Sequence, residues 1–277
     1  MNVPPALSEV KVIALDLDGV VYLGERALPG AVEAIKRLRA LGFKVWFVTN
    51  NSAKTRAEIA AKLVRLGVPV VESEVLGSAY ATGFLIRHLS GSKRPSAITV
   101  GSDGLRAEIA HFGVQIVDRV PCDFLVVGFD RDFTYEKICL ALDALAAGAT
   151  FVACNRDARF PVGDKHYLPG CGAMVAAIEE AYGAKCAYEV GKPNTLFLQM
   201  IAETDGVAPY EILVVGDSIE SDIVMARRFG SPCVLVSESA ESETSAETRP
   251  TVILSALEEL PPLFAAGEHP HRTPPTP

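Results

Sequence analysis

Short continuous apolar runs and longer stretches with one apolar face follow each other along this chain. Val12 to Leu15 form such a run inside a strand predicted over Val10–Leu17, a pattern that suits a strand covered on both faces in a parallel sheet. Pro29 and Gly30 open a predicted helix that ends at Leu41, and Gly42 stands where a left-handed cap is usual. Lys44–Thr49 is the next predicted buried strand, followed by a helix that starts at Ser52 or Thr55 and runs to Leu66. Strand, helix, strand, helix at this spacing predicts a doubly wound α/β domain with a parallel sheet.

The far end has the same style. A helix is predicted over Pro193–Thr204, a buried strand over Ile212–Val215 and a helix over Ile219–Phe229, then strands at Cys233–Val236 and Thr251–Leu254. Between the halves lies a block with its own rhythm. Its strands fall near Ala97–Val100, Phe124–Val127 and Thr150–Ala153, and its helices near Asp103–Phe112, Tyr135–Ala147 and Gly172–Tyr182. This block reads as a second α/β domain over 90–186, inserted into a first formed by 1–89 and 187–267. The Pro-rich end, 268–277, reads as a disordered tail, and His269 and His271 as part of it.

Length and charge narrow the classes. A chain of 277 residues can bury a large core plus a smaller domain. Acidic residues outnumber basic ones, 34 to 26, which argues against a nucleic-acid partner because phosphate backbones are held by clustered Lys and Arg. The six cysteines form no C-x-x-C pair and read as reduced core residues. There is no signal peptide pattern and no apolar stretch of membrane-spanning length, so the expectation is a cytoplasmic protein without a membrane partner.

Four polar clusters carry the candidate chemistry. Asp16 and Asp18 end the first strand in D-L-D-G-V; residues two apart leave the same face, at the strand end where open α/β sheets bind ligands. They suit a nucleophile or metal ligand beside a general acid, and equally a loop with two acidic caps. Thr49-Asn50-Asn51-Ser52 ends the second strand and suits a phosphate oxygen, although helix capping by Asn51 or Ser52 explains it as well. Lys192, in G-K-P-N, can neutralise a transferring phosphoryl group, though most single lysines are merely solvated. Asp217, in G-D-S-I-E-S-D, emerges at a strand end where it can ligate a hard cation such as Mg2+. Asp222 lies one turn further on, placed either to orient Lys192 or to serve as an acidic first turn.

Taken in order, D-L-D-G-V (16–20), T-N-N-S (49–52), G-K-P-N (191–194) and G-D-S-I-E-S-D (216–222) resemble the four motifs of the haloacid dehalogenase superfamily. The 31 residues from Asp18 to Thr49 (49 − 18) leave no room for a cap domain, whereas the 141 from Asn51 to Lys192 (192 − 51) do. With V-G-F-D at 127–130 and P-G-C-G at 169–172, the chain resembles the NagD-like, 4-nitrophenylphosphatase-type branch, which implies a Rossmann-like core and an inserted α/β cap. The resemblance implies Asp16 as nucleophile and Mg2+ ligand, and Asp18 as general acid, then base. It implies Mg2+ held by Asp16, the Asp18 backbone carbonyl and Asp217, with phosphate held by Thr49, Asn50, Asn51 and Lys192.

The activity so implied is Mg2+-dependent hydrolysis of a small phosphate monoester through an aspartyl phosphate. The candidates are a nucleoside monophosphate, phosphoglycolate, glycerol phosphate, a sugar phosphate or pyridoxal phosphate, with 4-nitrophenyl phosphate as an in vitro substrate. A homodimer formed through the cap is a further implication. The alternative is a non-catalytic phosphometabolite-binding protein; the presence of Asp16, Asp18, Lys192 and Asp217 argues against it. Substrate choice is expected in the polar loop Asn155–His166, where Asn155, Arg156, Asp157 and Lys165 can read a leaving group or simply cap the loop. Trp46 is expected to pack within the first domain, and His88, His111 and His166 to be ordinary structural histidines.

Overall fold

The computed structural model describes residues 4–163, 166–237 and 245–265. The tail at 268–277 and Lys165 lie outside them. The chain forms two compact units, one built from residues up to Thr49, Ala60–Val75 and Lys192 onward, the other from Asn50–Ile59 and Leu76–Gly191.

The first unit carries a sheet whose strands run in the order Val252–Leu254, Cys233–Val236, Ile212–Gly216, Val12–Asp16, Lys44–Thr49 and Val75–Gly77. The central strands are parallel and buried along their length, as their unbroken apolar runs demand. Leu15 pairs with Val215 and Asp16 with Val48, so the carboxyl ends of three strands finish level. Helices cover the sheet: Ala31–Ala40 turns Ala31, Ala34, Ile35 and Leu38 inward at helical spacing, as its periodicity predicts. Trp46 lies within this unit and donates its indole N–H to Asp205 at 2.8 Å.

The second unit has its own parallel sheet, ordered Tyr188–Glu189, Thr150–Ala153, Phe124–Val127, Ser96–Val100 and Gln115–Ile116. It reaches back to Leu76, further than the residue-90 boundary read from sequence, because a helix at Ser78–Ser90 packs with the helix Asp103–His111. That helix carries a mid-helix Gly83, which weakens its sequence signal. The glycine is needed for close packing: a Cβ there would stand 2.5 Å from the Phe112 ring. An antiparallel pair, Arg159–Gly163 with His166–Pro169, replaces much of the expected polar loop. Its Pro161 argues against a strand by sequence and is accommodated in this short two-stranded ribbon.

Candidate active site

Asp16, Asp18, Thr49, Lys192, Asp217 and Asp222 all belong to the first unit, whereas Asn50 and Asn51 belong to the second. Strand register brings the first group together: Asp16 and Thr49 end their strands, and Asp217 directly follows Gly216, the last residue of its own.

Lys192 is the centre of the arrangement. Its ammonium is 4% exposed and donates to Asp16 Oδ1 at 2.6 Å and to Asp222 Oδ1 at 2.7 Å. Burial alone would discharge a lysine, but the two carboxylates outweigh it and hold Lys192 charged well above its usual range. Burial raises the Asp16 carboxyl above its ordinary value, against the pull of Lys192 and with a further push from Asp222. Asp222 reaches this position because its helix opens with a π-turn over Ile219–Ile223, in which Ile223 N–H reaches the Ser218 carbonyl at 3.3 Å. Such a widened turn re-aims a side chain that a plain α-helix would carry round with its neighbours. The far oxygen of Asp222 accepts from Ser218 N–H at 3.3 Å and Ser221 Oγ at 3.4 Å.

Carboxylate oxygens of Asp16, Asp217 and Asp222 lie within 4.8 Å of one another. Asp217 is exposed as a residue, yet its carboxyl presses on Gly19, where a Cβ would stand 2.0 Å from Oδ2. That close approach desolvates the carboxyl and, with Asp222 nearby, pushes it up to about 6. Three crowded carboxylates facing one ammonium leave an excess of negative charge with all-oxygen donors, which suits a hard divalent cation.

The Asp18 carboxyl stands outside this trio. Its Oδ2 accepts from Tyr22 Oη at 3.4 Å, and burial raises it while Lys62 and Tyr22 pull it down. Lys62 in turn lies 3.6 Å from the centre of the Tyr22 ring. Tyr22 and Lys62 escaped the sequence reading: one is four residues after Asp18 in an unremarked loop, and the other arrives from a helix with no motif around it.

Asn51 behaves as the capping alternative predicts, its Oδ1 accepting from Ala53 and Lys54 N–H at 2.9 and 3.1 Å. Asn50 donates its amide to Asp157 at 3.1 Å. Arg156, a candidate substrate reader, is held by Glu179 through both terminal nitrogens, at 2.8 and 2.6 Å, and by Glu189 at 2.6 Å. His111 packs against Tyr80 and Phe112, in keeping with a structural histidine.

Two family models match: one described as haloacid dehalogenase-like hydrolase over residues 13–115, and a second, HAD-hydrolase-like, over 189–260. A glycerol-3-phosphate phosphatase of Homo sapiens is 36% identical over 255 residues, covering 83% of this chain and 79% of that protein. Among solved structures, p-nitrophenyl phosphatase from Archaeoglobus fulgidus superposes with a TM-score of 0.84 at 29% identity, covering 92% of this chain and 99% of its own. The glycerol phosphate phosphatase from Mycobacterium tuberculosis, solved in complex with magnesium, gives a TM-score of 0.84 at 30% identity and covers 92% of this chain and 78% of its own. The chain belongs to the haloacid dehalogenase-like hydrolases, in the branch that holds the 4-nitrophenylphosphatases.

Proposed function

We propose that this chain hydrolyses small phosphate monoesters with Asp16 as nucleophile and Mg2+ as cofactor. The observation that carries the reading is the buried Lys192 ammonium, held by Asp16 at 2.6 Å and Asp222 at 2.7 Å beside the Asp217 carboxyl. A lysine so placed favours the ionised, attacking form of Asp16 against the burial that raises it, and supplies positive charge where phosphoryl oxygens arrive.

Asp16 Oδ attacks phosphorus, the bond to the ester oxygen breaks, and Asp18 gives its proton to the departing oxygen. Asp18, now a carboxylate, takes a proton from water as that water attacks the aspartyl phosphate. The phosphorus–carboxylate bond breaks, releasing inorganic phosphate and restoring Asp16. Burial, which raises Asp18, favours the protonated form needed for the first half of the cycle, and the Tyr22 hydroxyl lies 3.4 Å from its carboxyl. Within the first unit, Thr49 and Lys192 hold the phosphate. Asp16, Asp217 and the Asp18 backbone carbonyl would hold Mg2+, which when bound adds charge neutralisation at the phosphoryl oxygens. The human and mycobacterial relatives are named for glycerol phosphate, which makes it the first ester to try, ahead of sugar phosphates, pyridoxal phosphate, phosphoglycolate and nucleoside monophosphates.

The test is phosphate release from that panel and from 4-nitrophenyl phosphate, with Mg2+ or EDTA, alongside Asp16→Asn. Turnover that disappears in EDTA and in the variant is the expected result. Release that persists in Asp16→Asn would remove the aspartyl-phosphate mechanism, and a wild-type chain that binds phosphate but turns over no ester would be a binding protein.

A further inference from the structure

The sequence around residues 155–157, together with V-G-F-D and P-G-C-G, has no role in the chemistry above. In the second unit these segments converge on the stretch that begins at Asn50. The Asn50 carbonyl accepts two short bonds, from Asn155 Nδ2 at 2.6 Å and Ser78 Oγ at 2.7 Å. The Asn50 amide donates to Asp157 Oδ1 at 3.1 Å, and the Asp157 N–H donates to Asn155 Oδ1 at 3.0 Å, which closes a ring. Asn155 and Ser78 are 3% and 0% exposed. Phe129 N–H of V-G-F-D donates to Ser52 Oγ at 2.8 Å, two residues further along the same stretch. The glycines of P-G-C-G back the ring: a Cβ on Gly170 would stand 2.1 Å from the Asp157 carbonyl, and Gly172 N–H donates to that carbonyl at 2.9 Å.

Of the four points at which the chain passes between units, two are Thr49–Asn50 and Gly191–Lys192. Both passages meet at this ring, since a Cβ on Gly191 would stand 2.5 Å from Asn50 Oδ1 and 2.7 Å from Asn155 Cβ. Thr49 and Lys192, two of the proposed phosphate-holding groups, are therefore each one peptide bond from the same buried cluster. We propose that Asn155, Asp157 and Ser78 form a clasp on Asn50 that positions Thr49 and Lys192, so that this loop sets phosphate geometry instead of reading the leaving group. The proposal rests on the phosphatase reading for the roles of Thr49 and Lys192. Both polar atoms of the Asn155 side chain are engaged inside the ring, which is the physical reason it is a positioning residue.

The test uses Asn155→Asp, which keeps the acceptor for Asp157 N–H but turns a second oxygen toward the Asn50 carbonyl. The full chain is assayed with 4-nitrophenyl phosphate, glycerol phosphate and pyridoxal phosphate, and its binding of inorganic phosphate is followed by calorimetry. A displaced phosphate-holding group predicts that kcat/KM falls about 10- to 100-fold by one common factor for all three esters. Phosphate affinity should weaken in parallel with an unchanged stoichiometry, whereas partial misfolding would lower the stoichiometry and leave the affinity alone. Ser78→Ala, which removes the other donor, should give a smaller uniform fall of roughly threefold and carries the comparison if Asn155→Asp does not fold. A loss confined to one ester would make Asn155 a leaving-group reader, and unchanged phosphate affinity would remove the clasp. If the wild type binds phosphate without hydrolysing any ester, the phosphatase reading fails while the affinity comparison still judges the clasp.

Discussion

Gly216→Ala probes the geometry around Lys192 without replacing a charged residue. A Cβ at 216 would stand 2.1 Å from Asp222 Cγ, where ordinary contact begins at 3.4 Å, so the carboxyl must retreat by 1.3 Å (3.4 − 2.1). Asp222 is 1% exposed, and its near oxygen is 2.7 Å from Lys192. A retreat along that bond takes 2.7 Å to 4.0 Å (2.7 + 1.3), beyond hydrogen-bond reach. Overpacking costs about 1–3 kcal/mol, and a lost charge-assisted bond costs about 1.5–3 kcal/mol more. The sum, about 2.5–6 kcal/mol, lowers the melting temperature of a chain this size by about 5–20 °C. Lys192, left with Asp16 as its one carboxylate among these, shifts relative to the nucleophile, and kcat should fall about 100-fold. Circular-dichroism melting and 4-nitrophenyl phosphate turnover read the two effects separately. A variant that melts within about 2 °C of the wild type and keeps its kcat within about twofold would refute the reasoning, because Asp222 would then not be pinned.

Two further outcomes follow from charge. The Asp217 carboxyl titrates near 6, above its ordinary 3.8, so between those values the folded chain binds more protons than the unfolded one and stability falls as pH rises. A cation at the acidic trio relieves that loss, so Mg2+ should raise the melting temperature more at about pH 7.5 than at about pH 5; an equal rise at both would place the ion elsewhere. Arg156→Ala leaves the buried Glu179 with Lys185 at 3.0 Å and Cys186 N–H at 2.9 Å, and should cost about 3 kcal/mol near neutral pH. Arg156 holds the Glu179 carboxyl down to about 2, a stabilisation present above its ordinary 4.5 and lost as pH falls toward 2, so the deficit should shrink in acid. The ranking of esters by kcat/KM should stay unchanged, and a changed ranking would return Arg156 to reading substrate.

The strand-end placement of Asp16, Thr49 and Asp217 was legible because each sits at the end of an unbroken apolar run, and the run marks a buried strand whose end is fixed by local pattern. Lys192 was legible only in company, since nothing local distinguishes a buried lysine from a solvated one. The residues around Asn155 were legible only as two alternatives, a leaving-group reader or a loop cap: polar residues in a loop look alike whether they face a ligand or another stretch of backbone. Arg156 illustrates the same ambiguity, because its partner Glu179 is 23 residues away on a helix.

Hydrophobic periodicity by itself determined the α/β class, the buried strands and the polar groups at their ends, since these depend on spacing within a few residues. Tertiary structure decided everything set by contacts between distant segments. It folded the helix Ser78–Ser90 against its neighbour with Gly83 at the close approach, and turned Asp222 onto Lys192 through a π-turn. It also brought Tyr22 and Lys62 to Asp18, and joined Asn50, Asn155 and Gly191 in one cluster. Hydrogen bonds and ion pairs across tens of residues leave no periodic trace along the chain, because their partners are chosen by packing.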